Sequence, residues 1–169
     1  MGDVLNDIAD CVPALRRYAR ALTHDPDGAD DLVQDCLERA IAKRSLWRPI
    51  GPIRPWLFRI LLNLHRNALR DRRRRPATTP VDELADILPA PGSAFERAAL
   101  AETARAMERL PGEQREALLL VAVEGLGYAE AAAILDIPLG TLMSRLGRAR
   151  ATLRQMTSEN GRPILKAIK

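Results

Sequence analysis

Apolar residues recur along this chain at steps of three and four, and no segment alternates apolar with polar positions, so the pattern predicts an all-α fold. Leu15, Tyr18, Ala19 and Leu22 place a first helix that ends near Thr23. Asp25 followed by Pro26 reads as a cap with proline in the first helical turn, opening a second helix. Its positions Leu32, Val33, Cys36, Leu37, Ala40 and Ile41 face a core and leave Asp30, Asp31, Gln34, Asp35 and Glu38 outside. After the loop RSLWRPIGPIRP, a third helix from about Pro55 to Arg74 is expected to bury Trp56, Leu57, Ile60, Leu61 and Leu64. Asn63, Arg66, Asn67 and Arg70 project elsewhere, and three helices close a first domain over residues 1–75.

Pro76 stops that helix, and residues 76–92 carry four prolines with alanine, threonine and acids but no helical period, so they read as a flexible linker. Ser93 and Glu96 make a capping box that opens a second domain, 93–156, with a helix through Leu100 and Met107. Leu110 and Pro111 break it; a further helix runs through Leu118, Leu119 and Val121 until Gly125 ends it.

The most informative stretch is Tyr128 to Leu153, YAEAAAILDIPLGTLMSRLGRARATL, which reads as two helices around a tight turn. Ala129, Ala132, Ala133, Ile134 and Leu135 allow a close, steep helix crossing. The second helix begins near Pro138 and carries a narrow stripe of Leu142, Leu146, Ala149 and Leu153. Opposite that stripe lie Met143, Ser144, Gly147, Arg148, Ala151 and Arg154, flanked by Arg145 and Arg150, a small, polar and cationic face suited to the major groove of DNA. The plain alternative is a helical hairpin with a solvated basic face.

Charge bears on that choice. The net charge of the 169 residues is only +4, but eight arginines between Arg54 and Arg75 stand against the single acid Asp71, leaving that segment at +7. Positive charge is thus concentrated where a polyanion can lie, while Asp25, Asp27, Asp30, Asp31, Asp35 and Glu38, then Asp82, Glu83 and Asp86, make acidic stretches. Cys11 and Cys36 have no metal-ligand spacing and read as buried thiols; His24 and His65 read as a helix-end and a surface residue. No signal peptide precedes the first helix and no run approaches the roughly 18 apolar residues of a membrane span, so a cytoplasmic protein without membrane insertion is expected.

Taken together, LRRYARALTHDPDGADDLVQDCLERA, WLFRILLNLHRNALRDRRRR and LPGEQREALLLVAVEGLGYAEAAAILDIPLGTLMSRLGRARATLR resemble, in order and spacing, the extracytoplasmic-function (group IV) sigma factors of the sigma-70 family, over about residues 12 to 156. The resemblance implies an alternative RNA polymerase sigma factor whose first, region 2-like domain binds the core polymerase clamp and melts the promoter near minus ten. The second, region 4-like domain would read the minus-thirty-five element. Core RNA polymerase, through its beta and beta-prime subunits, promoter DNA and an anti-sigma factor are the implied partners; no cofactor, metal or catalytic group is called for.

Residue by residue, Asp31, Leu32, Val33, Gln34 and Asp35 stand at the clamp-binding motif, with outward acids suited to a basic partner. Trp56, Asn63, Arg66, Asn67 and Arg70 match the minus-ten and melting surface, and the loop from Trp47 to Ile53 matches the one that pockets a flipped base. An asparagine both donates and accepts, which suits an unpaired base edge, although a solvated helix face would use asparagine too. Thr141, Met143, Ser144, Arg145, Gly147 and Arg148 match the recognition helix. Met143 replaces a usual basic residue there and Gly147 a larger one, weakening two contacts and leaving Arg148 and Ser144 as the chief readers.

Other classes stay open at this stage. A sigma-like mimic that sequesters an anti-sigma protein would have no need of arginines 66, 70, 72–75, 145, 148 and 150. A conventional helix-turn-helix regulator leaves the first domain unexplained. A nucleic-acid enzyme, including a metal-dependent nuclease built on the second helix's carboxylates, lacks a histidine, a further acid triad or a nucleophile beside them. The tail from Thr157 to Lys169 has no assignable counterpart.

Overall fold

A computed structural model of the chain describes residues 4–47, 51–74 and 94–158, and every regular element among them is helical. The chain divides into two units, Met1–Glu83 and Leu84–Lys169. The expected linker over 76–92, the cap at Ser93 and the tail beyond Ser158 lie outside the described residues.

In the first unit, α1 (Val4–Thr23) runs straight through the exposed Pro13, so it starts well ahead of the leucine that announced it and buries Ile8 as well. His24 ends it in the left-handed region at φ 55°, its N–H donating to Arg20 O at 3.0 Å, a helix-end role as expected. The next helix, α2 (Pro26–Ala42), follows at once. Asp25 occupies the cap position through its backbone, Ala29 N–H donating to Asp25 O at 2.8 Å, but its side chain makes no cap bond. The carboxylate instead folds over Gly28, where a Cβ would stand 2.5 Å from Asp25 Oδ2.

Arg44–Leu46 form one turn of 3-10 helix, and α3 (Arg54–Arg74) starts on the buried Ile53, whose carbonyl accepts from Leu57 N–H at 3.1 Å. The three helices pack pairwise around Leu15, Tyr18, Leu32, Val33, Cys36, Leu57, Phe58, Leu61 and Leu62. Tyr18 meets Phe58 edge to face, ring centroids 5.1 Å apart, an arrangement that adds about 0.5–1.5 kcal/mol to the burial itself. Arg54 lies over the Phe58 ring, 5.4 Å from its centroid.

Several residues of this unit lie elsewhere than expected. The buried stripe of α3 is Leu57, Phe58, Leu61, Leu62 and His65, so Trp56, Ile60 and Leu64 are only half-buried at its margin. His65, expected at the surface, is part of the core layer. On α2 the buried stripe is Ala29, Leu32, Val33, Cys36 and Ala40, which leaves Leu37 half-buried and Ile41 exposed. Cys36 is buried as expected, its Sγ donating to Leu57 O at 3.5 Å, and burial pushes the thiol up to about 12; Cys11 is only half-buried.

In the second unit α4 (Ala94–Glu108) is followed by α5 (Gly112–Leu118), capped by the backbone of Pro111. The helix then widens into a π turn over Leu119–Val123 that the sequence pattern did not announce, before Gly125, at φ +68°, ends it. The last pair is α6 (Tyr128–Leu135) and α7 (Leu139–Ser158). Between them Asp136 adopts the left-handed conformation (φ 57°), Ile137 N–H donates to Ala132 O at 3.1 Å and Asp136 N–H to Ala133 O at 3.3 Å. These are the two bonds of a Schellman stop, and they set the tight turn between α6 and α7. Pro138 caps α7 rather than occupying its first turn, since its carbonyl accepts from Leu142 N–H at 3.1 Å.

Candidate functional site

The surface of α7 is laid out as its periodicity predicts. Leu142, Leu146, Ala149 and Leu153 are buried against α4, α5 and α6, so Met143, Ser144, Gly147, Arg148, Ala151 and Arg154 are turned to solvent. Thr141 is half-buried at the edge. Arg145 departs from the expected outward placement: its Nη2 lies 2.9 Å from Glu113 Oε2 on α5, and its side chain is only 16% exposed. Arg150 reaches the Tyr128 hydroxyl on α6 at 3.3 Å. Arg148 makes no ion pair or hydrogen bond among the described residues, so of the matched cations on this helix it is the one free to meet an external anion. Neither Glu113 nor Tyr128 could be found from helix periodicity, because each meets α7 across a tertiary contact.

A second surface runs along α3. Trp56, Ile60, Asn63, Asn67 and Arg70 follow one another at helical steps of four, three, four and three, forming a single row beside the core stripe. The half-buried Trp56 and Ile60 and the exposed Asn63 line a cleft of about 290 Å³ with Leu46 and three cations, Arg39, Lys43 and Arg59. Further along, Asn67 accepts a hydrogen bond from the Arg70 guanidinium. Arg66 is half-buried beside that row.

The three cations were not singled out by sequence reasoning, yet a signal was present. Asp31, Asp35, Arg39 and Lys43 follow at four-residue spacing, so the outer row of α2 passes from acid to base along its length. Its acidic half holds Asp31, Gln34 and Asp35 exposed, Gln34 donating to Glu38 Oε1 at 3.1 Å. Leu32 and Val33 are buried in the core of the first unit. Asp30 is drawn sideways toward Arg16 and Arg20 of α1, at 3.4 and 3.8 Å.

The loop expected to pocket a base falls partly outside the described residues, at 48–50. Its described part, Trp47, Gly51, Pro52 and Ile53, borders a cleft of about 260 Å³ that Asp7, Asp10 and Cys11 close from the α1 side. Two acids against one cation, Arg54, make this second cleft less hospitable to a polyanion than the one at Trp56, which three cations line. Among the described residues no three His, Cys, Asp or Glu side chains gather as metal ligands, and no helix is long and apolar enough to cross a membrane.

Residues 8–62 match the model of the Sigma2 domain of PhyR, and residues 100–153 match Sigma-70, region 4. The chain is 38% identical over 156 residues to the ECF RNA polymerase sigma factor EcfG of Rhodopseudomonas palustris, covering 92% of this chain and 86% of that one. The sigma factor RpoE of Bartonella quintana, solved in complex with the anti-sigma factor NepR, shares 31% identity and a TM-score of 0.79 over 94% of this chain and 98% of that one. The anti-anti-sigma factor PhyR from Bartonella quintana, solved with NepR, shares the fold alone: 22% identity and a TM-score of 0.61 over 90% of this chain and 50% of that one. The helix-turn-helix and the three-helix unit before it therefore belong to one inherited plan, and this chain belongs to the ECF RNA polymerase sigma factors, a class of non-enzymatic transcription factors.

Proposed function

We propose that the chain is a group IV alternative sigma factor that acts in the cytoplasm by binding core RNA polymerase and directing initiation at particular promoters, without bond-making of its own. The observation that carries this reading is the α7 surface, where Ser144, Gly147 and Arg148 are presented opposite a wholly buried stripe. In this reading residues 93–156 read the minus-thirty-five element, residues 1–75 bind the clamp and open the minus-ten region, and 76–92 tether the two. The exposed Asp31, Gln34 and Asp35 meet a basic polymerase surface. The melted strand lies along the α3 row, Trp56 offering a face for base stacking while Arg39, Lys43 and Arg59 neutralise phosphates.

A second reading is favoured by one observation, the match of residues 8–62 to a PhyR domain: a mimic that occupies an anti-sigma factor and leaves DNA alone. Eight arginines in 54–75 and the outward Arg148 would be idle in such a protein. An anti-sigma partner is part of either reading, in the first as the protein that holds the chain inactive. Gel filtration with core polymerase separates them: co-elution supports the sigma factor, and elution apart supports the mimic.

A further inference from the structure

Resting on the reading of α7 as the promoter-facing helix, we propose that Met143 is a specificity-determining residue that recognises the C5 methyl group of a thymine in the major groove. Gly147 is the position that lets α7 settle deep enough for that contact.

Met143 is 54% exposed and Leu139, one turn earlier, 46% exposed, so two large apolar side chains sit in sequence on the outward face. Their helix spans 20 residues without one acid, and Arg148 and Arg154 share the outward face, so its charge fits a polyanion and repels a basic protein surface. Along the major groove a duplex offers donors, acceptors and one apolar group, the thymine methyl, and that group is the apolar complement to a methionine side chain. A basic residue at this position would instead seek guanine or phosphate, so methionine makes a different kind of contact.

Gly147 gives the second, independent observation. Its backbone is not in the left-handed region, and a Cβ added there would meet nothing within 4 Å, so neither conformation nor packing inside the chain selects glycine. Glycine also weakens a helix relative to alanine. The absent side chain leaves room on the outside, one turn beyond Met143, where the backbone can approach a ligand closely.

The test uses holoenzyme reconstituted from the full chain and core polymerase. An upstream element is first selected from a random library, and each of its thymines is then replaced by uracil, one at a time. At one position the lost methyl should lower occupancy about fourfold, as burial of a single methyl would. Met143→Ala should bind the thymine and uracil templates equally. Gly147→Ala should melt higher yet bind the thymine template more weakly. An enriched element with no uracil-sensitive thymine, or a uracil effect that survives Met143→Ala, overturns the assignment of Met143 while α7 keeps its promoter role. Failure to enrich any upstream element overturns that role and this proposal with it.

Discussion

Neutralising Glu113 should loosen the selectivity of the chain for DNA while barely touching its fold. The Glu113–Arg145 pair is close, 2.9 Å, but the acid is 72% exposed, and surface pairs of this kind contribute about 0.2–1 kcal/mol. Glu113→Gln should therefore lower the melting temperature of the second unit by roughly a few degrees at most. The effect on DNA is of another kind. Arg145 lies on the helical row of Thr141 and Arg148, and with Glu113 neutral its guanidinium is released to a phosphate. One further phosphate contact steepens the dependence of log affinity on log salt by about 0.9. Fluorescence anisotropy on a random duplex over a salt series should show tighter binding at low salt, that steeper slope, and a smaller ratio of cognate to random affinity. Adding Arg145→Gln to Glu113→Gln should return the slope to the parental value, which separates a freed arginine from mere loss of a repelling acid. An unchanged slope in Glu113→Gln would refute the argument, as would equal weakening on both DNAs.

Three further outcomes follow from the first unit. Asn63→Ala with Asn67→Ala should leave polymerase binding nearly intact but reduce promoter opening, read by permanganate reactivity of unpaired thymines, and a template with a pre-melted minus-ten bubble should restore most of the transcript; full opening by the double variant would return these asparagines to the role of solvated helix residues. Reversing charge at the exposed Asp31 and Asp35 together should weaken binding to core polymerase with circular dichroism unchanged, since neither acid supports the core; unaltered affinity would remove α2 from that interface. The raised thiol of Cys36, shifted from 9.0 to about 12 by burial, stabilises the folded state below the unfolded value, so stability should fall progressively as pH rises from about 9 toward 12. Cys36→Ala should flatten that alkaline limb, and a limb of unchanged slope would contradict the assignment.

The helices of the second unit were legible because their contrasts are strong. On α7, four buried apolar positions alternate with glycine, serine and arginine, and only one helical phase fits them. On α3 the same method picked the right helix and a rotated stripe. Seven large apolar residues crowd Trp56 to Leu64, so periodicity alone could not decide that Phe58 and Leu62 go inward and Trp56 and Ile60 to the margin. Tyr18 decides it, since its ring needs the edge-to-face partner that Phe58 supplies, and that is a contact between distant parts of the chain. Periodicity, which set Trp56 in the core, thus concealed the cleft it lines, and only the family resemblance pointed to Trp56 as a surface residue. Buried His65, the π turn over Leu119–Val123 and the capture of Arg145 by Glu113 escaped for the same reason: each is settled by tertiary packing, which no single helix encodes.

Whether this chain gives core polymerase the ability to start at chosen sites is decided by run-off transcription with and without the full chain on a promoter library. Discrete transcripts should appear only with the chain and come from templates sharing an upstream and a minus-ten element. Absence of any chain-dependent transcript, together with elution apart from core polymerase, would contradict the sigma factor reading and leave the anti-sigma mimic standing.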